Sequence, residues 1–257
     1  MLLAIDARNS AVNIGLRDGD AWLTVIRLSP DRTADEYALL MQTALARLPG
    51  CRVGRAFMAS VVPALTPRLQ QAVHLAFGKE TRLVGPGIRS GIRIRTEQPA
   101  EVGADIVCSA LAAKHVAAGA CLVVDFATAI TISALNGDGE LLGVAIAPGL
   151  ETAARALCQS AAQLSAVPLE APPLYIGRNT GKALQAGLFF GYTGLVRDLI
   201  LGMSAEMAEP VSVIATGQDH GRMILERLRP GLPTFQTYRF IPDLALEGLV
   251  HLARLNS

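Results

Sequence analysis

Two aspartates stand 119 residues apart, each at the end of a short apolar run: Leu2-Leu3-Ala4-Ile5-Asp6 and Leu122-Val123-Val124-Asp125. A short turn follows each, Ala7-Arg8-Asn9-Ser10 and Phe126-Ala127-Thr128-Ala129, and then a second apolar run leaves. A strand that ends in a carboxylate and turns sharply gathers backbone N–H groups and a negative charge in one place. That is the equipment for holding phosphate oxygens and a hard cation. Asp6 with Asn9 and Ser10 forms the first candidate, and Asp125 with Thr128 and Thr131 the second. Thr216-Gly217, after the apolar residues 211–215, is a third place where backbone can close on a ligand group such as a nucleoside. A single strand-ending Asp is commonly just a turn former. The repetition is what points to phosphate handling, with the two turns facing each other across a cleft.

The elements that must position these groups follow the same repeat. Strands are expected at 2–5, 12–16 and 21–28, the last after the Arg17-Asp18-Gly19-Asp20 turn. Thr33 caps a helix to Leu48, with Glu36 three residues on and an apolar stripe of Tyr37, Leu40, Met41, Leu45 and Leu48. A strand at 55–61 and a helix at 66–77 come next, and Pro99 is placed to open a helix running to about His115. Strands at 120–125, 130–135 and 141–147 make a second meander, closed by Pro148-Gly149 before another helix. The tail supplies a strand at 211–215 and a final helix from about Pro242 to Leu255. This is an α/β chain of two similar halves, 1–115 and 116–257, built by internal duplication.

The 257 residues suffice to bury a sizeable core without staples. Lys+Arg 23 against Asp+Glu 22 gives a net charge of +1, which offers no electrostatic footprint for nucleic acid or for an anionic membrane surface. Small-molecule chemistry or protein contacts remain. The longest apolar stretch, 116–135, is interrupted by Gly119 and Asp125, so no membrane span is expected, and the N-terminus lacks a signal-peptide pattern. Cys51, Cys108, Cys121 and Cys158 have neither CxxC spacing nor a nearby histidine, and read as apolar fillers in a reducing cytoplasm. Trp22 and Phe189-Phe190 read as core or interface aromatics, and 187–196, with Gly191 and Gly194, as a helix for close packing in a dimer.

Taken in order, the segments resemble type III pantothenate kinases. MLLAIDARNS is similar to that family's Asp-x-Gly-Asn-Thr/Ser opening, and DRTADEYA and ASVVPALTPRL to the elements after it. GPGIRSGIRIRTEQPAEVGAD resembles the substrate loop, and VVDFATAITI the second phosphate motif. GVAIAPG, IGRNTGKALQAGLFFGYTGLV and IATG complete the register. The resemblance implies duplicated ribonuclease-H-like halves of the actin-like ATPase superfamily, each a mixed sheet with flanking helices. It also implies phosphorylation of the primary hydroxyl of pantothenate by ATP, with magnesium and a monovalent cation, potassium or ammonium, in a homodimer.

Carried over by position, Asp6 orients metal-bound phosphates, Asn9 and Ser10 line the first phosphate turn, and Thr128 lines the second. Thr216 and Gly217 approach the nucleotide, and Asp125 serves the monovalent cation. Asp105 is the general base after Gly103 in the substrate loop, and Thr180 touches pantothenate. Beside the resemblance, an Asp in the first turns of a helix is favoured in the ionised form that a base requires. Glu101 falls four residues earlier, on the same face of the helix expected from Pro99, so the two carboxylates raise each other's pKa.

The departures from the family pattern fall in the site. Arg8 and Ala127 replace the glycines of the two phosphate turns, Ile106 replaces the arginine after Asp105, Thr96 stands for an aromatic, and Gln218 for a second glycine. Ile106 cannot pair with a carboxylate as a guanidinium does. Arg89, Arg93 and Arg95 are candidate substitutes. Three readings stay open: an active pantothenate kinase, an impaired homologue that binds a ligand or partner, and a kinase for another acceptor.

Overall fold

β1 (Leu2–Ala7) and β6 (Cys121–Phe126) have every residue buried, the near-continuous apolar pattern of strands covered on both faces. Each is the middle strand of a five-stranded sheet. In a computed structural model describing residues 1–48, 50–161, 163–232 and 237–257, the remaining elements are as follows. The first half continues with β2 (Val12–Asp18), β3 (Ala21–Leu28), α1 (Ala34–Ala46), β4 (Arg55–Ser60), α2 (Thr66–Phe77) and β5 (Thr81–Leu83). After α3 (Ala104–Val116) and β6 come β7 (Ala129–Leu135), β8 (Leu141–Pro148), α4 (Leu150–Ser160) and α5 (Thr180–Met207). The chain ends with β9 (Ser212–Gly217), α6 (Asp219–Leu228), β10 (Tyr238–Phe240) and α7 (Leu244–Leu255).

The duplication expected from the sequence is present in the strand order. One sheet runs β3-β2-β1-β4-β5 and the other β8-β7-β6-β9-β10. β1 pairs antiparallel with β2 and parallel with β4; β6 pairs antiparallel with β7 and parallel with β9. The short edge strands β5 and β10 have no counterpart in the sequence reading, because three residues are too few for a period to show. Two compact units result: Met1–Arg93, Glu97–Ala112 and Asp243–Ser257 form the first, and Ile94–Thr96 with Ala113–Pro242 the second. The expected division at 115/116 puts α7 with the second half by chain order; its contacts place it in the first.

Local chemistry sets the element ends. Thr33 Oγ1 accepts the Glu36 N–H at 3.3 Å while Glu36 accepts the Thr33 N–H at 2.7 Å, the expected capping box. The helix expected from Pro99 begins instead at Ala104: Pro99–Glu101 is a separate 3-10 turn. Glu101 is exposed and off the helix, so the expected carboxylate pair with Asp105 on one helical face does not form.

α7 is fastened to the first sheet by polar contacts around an apolar face. Glu247 accepts from Arg17 Nη1 at 2.8 Å and from the Trp22 indole N–H at 2.6 Å. Trp22 therefore has a polar anchor within its own unit, and its ring lies over Gly15, where a Cβ would come within 2.3 Å of it. In the second unit, α5 packs Leu184, Leu188, Phe189, Val196 and Ile200 into the core. α5 is also the one described helix long and apolar enough, by length and composition, to cross a membrane, a property that the search for uninterrupted apolar runs did not register.

Gly248 of α7 lies against α3, where a Cβ would fall 1.9 Å from the Cys108 carbonyl oxygen. Gly248→Ala is expected to destabilise the protein by about 1–3 kcal/mol through overpacking. Gly202→Ala, on the exposed side of α5 with nothing within 4 Å, is neutral or stabilising. Urea unfolding midpoints of the two variants check the contrast.

Candidate functional site

The first unit assembles its polar residues around the end of β1. Asp6 is 1% exposed and pairs in register with Asn13 of β2 and Ala59 of β4. Arg8, two residues on, turns back and donates from Nε to Asp6 Oδ2 at 2.7 Å, and Asn13 Nδ2 reaches the same oxygen at 3.5 Å. The Arg8 N–H closes the turn onto the Ala11 carbonyl at 2.9 Å. Asn9 and Ser10 form its exposed tip.

Asp105 is the second residue of α3, with a half-buried carboxylate whose Oδ1 accepts the Ile106 N–H at 2.8 Å. Gly103 makes room for it, since a Cβ there would lie 2.5 Å from that oxygen. Cys108 follows one helical turn later, fully buried, where the charges of both carboxylates are felt. Burial pushes its thiol pKa well up, the charges of Asp6 and Asp105 push it further, and Arg8 opposes them. Asp6, Arg8 and Asp105 therefore share one neighbourhood around the Cys108 thiol. The reading of Cys108 as an apolar filler agrees with its full burial, and its place three residues after Asp105 puts the two on one helical face.

The second unit repeats the plan with different side chains. Asp125, 7% exposed, sits in register between Thr131 of β7 and Thr216 of β9. Directly opposed residues of adjacent strands project to the same face, so one carboxylate and two hydroxyls form a row. The turn after β6 is braced from behind: the Thr128 carbonyl accepts the Gly149 N–H at 2.9 Å and the Thr152 hydroxyl at 2.8 Å. Any side chain at Gly149 would meet the Ala127 carbonyl oxygen at 2.1 Å.

Gly217 takes φ +99°, and a Cβ there would lie 2.2 Å from the Phe126 carbonyl oxygen, so only glycine fits. Next to it the Gln218 amide donates to Glu151 at 3.0 Å, while its Oε1 is buried without a hydrogen bond. His220, 6% exposed, stands edge-on to Phe126 with Nε2 buried and without a hydrogen-bond partner. Burial holds its pKa below the ordinary histidine value, against the pull of Glu151 and Asp219. Thr180 is the exposed first residue of α5, whose N-cap Asn179 accepts the Lys182 N–H at 2.9 Å.

Among the described residues no three His, Cys, Asp or Glu side chains gather as metal ligands. Asp125 with Thr131 and Thr216 is a set of hard oxygen donors that suits an alkali cation. Asp6 suits a divalent cation less well, because the Arg8 guanidinium already stands on its Oδ2 and would repel one. The candidate substitute cations divide: Arg95 is engaged by Glu140 through two bonds at 3.0 and 3.1 Å, which commits it elsewhere.

The comparisons with known proteins agree with this arrangement of sheets and turns. A family profile described as type III pantothenate kinase matches residues 2–201. The chain belongs to the type III pantothenate kinase family. A type III pantothenate kinase of Dehalococcoides mccartyi strain CBDB1 is 39% identical over 99% of this chain and 96% of its own. One from Moorella thermoacetica is 41% identical over 97% of each. Among solved structures, component A of the (R)-2-hydroxyglutaryl-CoA dehydratase of Acidaminococcus fermentans aligns with a TM-score of 0.55 at 12% identity, over 100% of this chain and 99% of that one. The activator of the 2-hydroxyisocaproyl-CoA dehydratase from Clostridium difficile, solved with bound ADPNP, aligns at 0.55 and 9% identity over 99% and 95%. These likenesses are of fold.

Two predictions follow from the local geometry. Gly103→Ala is expected to displace the Asp105 carboxylate and lower any Asp105-dependent activity by about 10²-fold, on the scale of a 1 Å misplacement, while circular dichroism stays unchanged. His220 binds a proton less readily folded than unfolded, so its contribution is intact above the unfolded pKa of about 6.5 and declines as pH falls below it. His220→Gln is expected to flatten the loss of stability between about pH 6.5 and pH 5, read from urea midpoints.

Proposed function

We propose that this chain transfers the γ-phosphoryl group of ATP to the primary hydroxyl of pantothenate, the committing step toward coenzyme A. The observation that supports it most is the match to pantothenate kinases along the length of the chain, beside which the charges of Asp6 and Asp105 are both felt at the Cys108 thiol. In this reading Asp105 accepts the hydroxyl proton. Its ionised state is favoured by its place in the first turn of α3 and by the Ile106 N–H. Phosphoryl transfer of this kind proceeds through a loose transition state, so a positioned carboxylate of ordinary basicity suffices.

Asn9, Ser10 and the backbone of the first turn hold phosphate oxygens in the first unit, and Thr128 does so in the second. Thr216 and Gly217 approach the nucleoside, Gly103 keeps Asp105 in place, and Thr180 contacts the acceptor. Asp125 with its two threonines holds potassium or ammonium, which supplies positive charge to the phosphates when bound. A homodimer formed along α5 belongs to the same proposal, supported by open space beyond Gly191 and Gly194. A cytoplasmic location goes with this metabolic role.

A second reading, an impaired homologue that binds a nucleotide without efficient transfer, is supported by one observation. The carboxylate assigned to orient the phosphates is already neutralised by Arg8.

The test is ADP release by the purified protein with ATP, magnesium, potassium and pantothenate, beside Asp105→Asn. Turnover that requires pantothenate and falls at least about 10²-fold in the variant is expected. ADP formation that ignores pantothenate, or that the variant retains, sinks the kinase reading.

A further inference from the structure

The Arg8–Asp6 ion pair sits where the two chemistries assigned to the first turn compete. Asp6 is buried at the end of a central strand, and a buried carboxylate needs a positive or hydrogen-bonding partner. Arg8 provides one from within the turn itself, through a charge-assisted bond of 2.7 Å, and its own side chain is only 13% exposed. Asn13 adds its amide to the same oxygen. A divalent cation recruited by Asp6 must therefore displace, or share the carboxylate with, a guanidinium that is covalently tethered two residues away, and so present at high effective concentration. The second turn shows the contrast: Ala127, at the corresponding position, brings no charge to Asp125.

We infer that Arg8 is the resident counter-ion of Asp6 and excludes divalent cations from that carboxylate, so that the guanidinium supplies at the first phosphate turn the positive charge that a metal would bring. Its position follows from chain geometry. The N–H of Arg8 is bonded to the Ala11 carbonyl, which fixes the backbone, and the side chain folds back over the strand end. The inference rests on the kinase reading only in assigning a nucleotide to this turn; the competition at Asp6 stands on the ion pair alone. Arg8 is thus a positioning and charge-supplying residue, not a proton carrier. Two consequences are separable. The nucleotide-free protein has low affinity for divalent cations at Asp6, and its affinity for a nucleoside triphosphate gains little from them.

The experiment measures Mn²⁺ binding to the full-length, nucleotide-free protein from the loss of the free-ion paramagnetic resonance signal. It compares the wild-type chain with Arg8→Gly, Arg8→Gln and Asp6→Asn/Arg8→Gly. Arg8→Gly and Arg8→Gln are expected to bind at least 10-fold tighter than wild type, and the double variant to lose the gain. The two Arg8 substitutions differ in bulk, so one reports if the other fails to fold. In parallel, a non-hydrolysable ATP analogue is titrated by calorimetry with magnesium and with EDTA. A ratio of affinities within about 3-fold is expected for wild type, rising above 10-fold in Arg8→Gly. Wild-type Mn²⁺ binding as tight as in the Arg8 variants, or equally weak binding in all, overturns the inference whatever the nucleotide does. Failure of the analogue to bind any form instead overturns the kinase reading, whatever Mn²⁺ does.

Discussion

A fully buried strand, flanked by an antiparallel neighbour on one side and a parallel one on the other, can carry a carboxylate only at its end. β1 and β6 obey that constraint, and Asp6 and Asp125 are where it delivers charge. Further back the carboxylate would be sealed in the sheet without partners, and further on it would be solvated in the turn. At the last positions it is buried yet flanked by residues in register on two neighbouring strands. The rest of each unit serves this placement: β4 and β9 bring Ala59 and Thr216 alongside, α7 covers the first sheet, and α5 covers the second.

The two halves have spent the same plan differently. In the second, small residues and hydroxyls surround the carboxylate, the turn is braced by Gly149 and Thr152, and a left-handed glycine brings β9 backbone close. That is an oxygen-rich strand end, of the kind that the proposed cation and phosphate roles call for. In the first, a guanidinium and an amide meet the carboxylate, whose charge, like that of Asp105, is felt at the buried Cys108 thiol. The loss of the glycine at position 8 thus does more than add bulk. It changes the electrostatics at the carboxylate that the family pattern leaves for phosphate and metal.

The duplication was legible because a buried strand, a terminal Asp and a small polar turn are all local in sequence, and the repeat doubled each weak signal. Helix α1 was legible to its cap for the same reason. The start of α3 was not: Pro99 is a good helix opener, yet the turn it opens ends at Glu101, Val102 is extended, and the helix begins afresh at Ala104 with the Gly103 carbonyl accepting the Val107 N–H. The strands β5 and β10 were too short to show a period. Arg8 could be named as a departure from the turn pattern, but its ion pair with Asp6 depends on a side-chain direction that sequence does not carry. The fastening of α7 through Glu247 to Arg17 and Trp22 joins residues from opposite ends of the chain, beyond the reach of any local pattern.

The carboxylates of the first unit are proposed to serve phosphoryl transfer to pantothenate. The most direct test of that role is product identification in a single turnover, with the protein in excess over pantothenate and with ATP present, analysed by phosphorus NMR and mass spectrometry. Transfer to the primary hydroxyl yields one phosphomonoester signal and pantothenate heavier by one phosphoryl group, in amounts matching the ADP formed. Unaltered pantothenate, with ATP intact or converted only to inorganic phosphate, would contradict it.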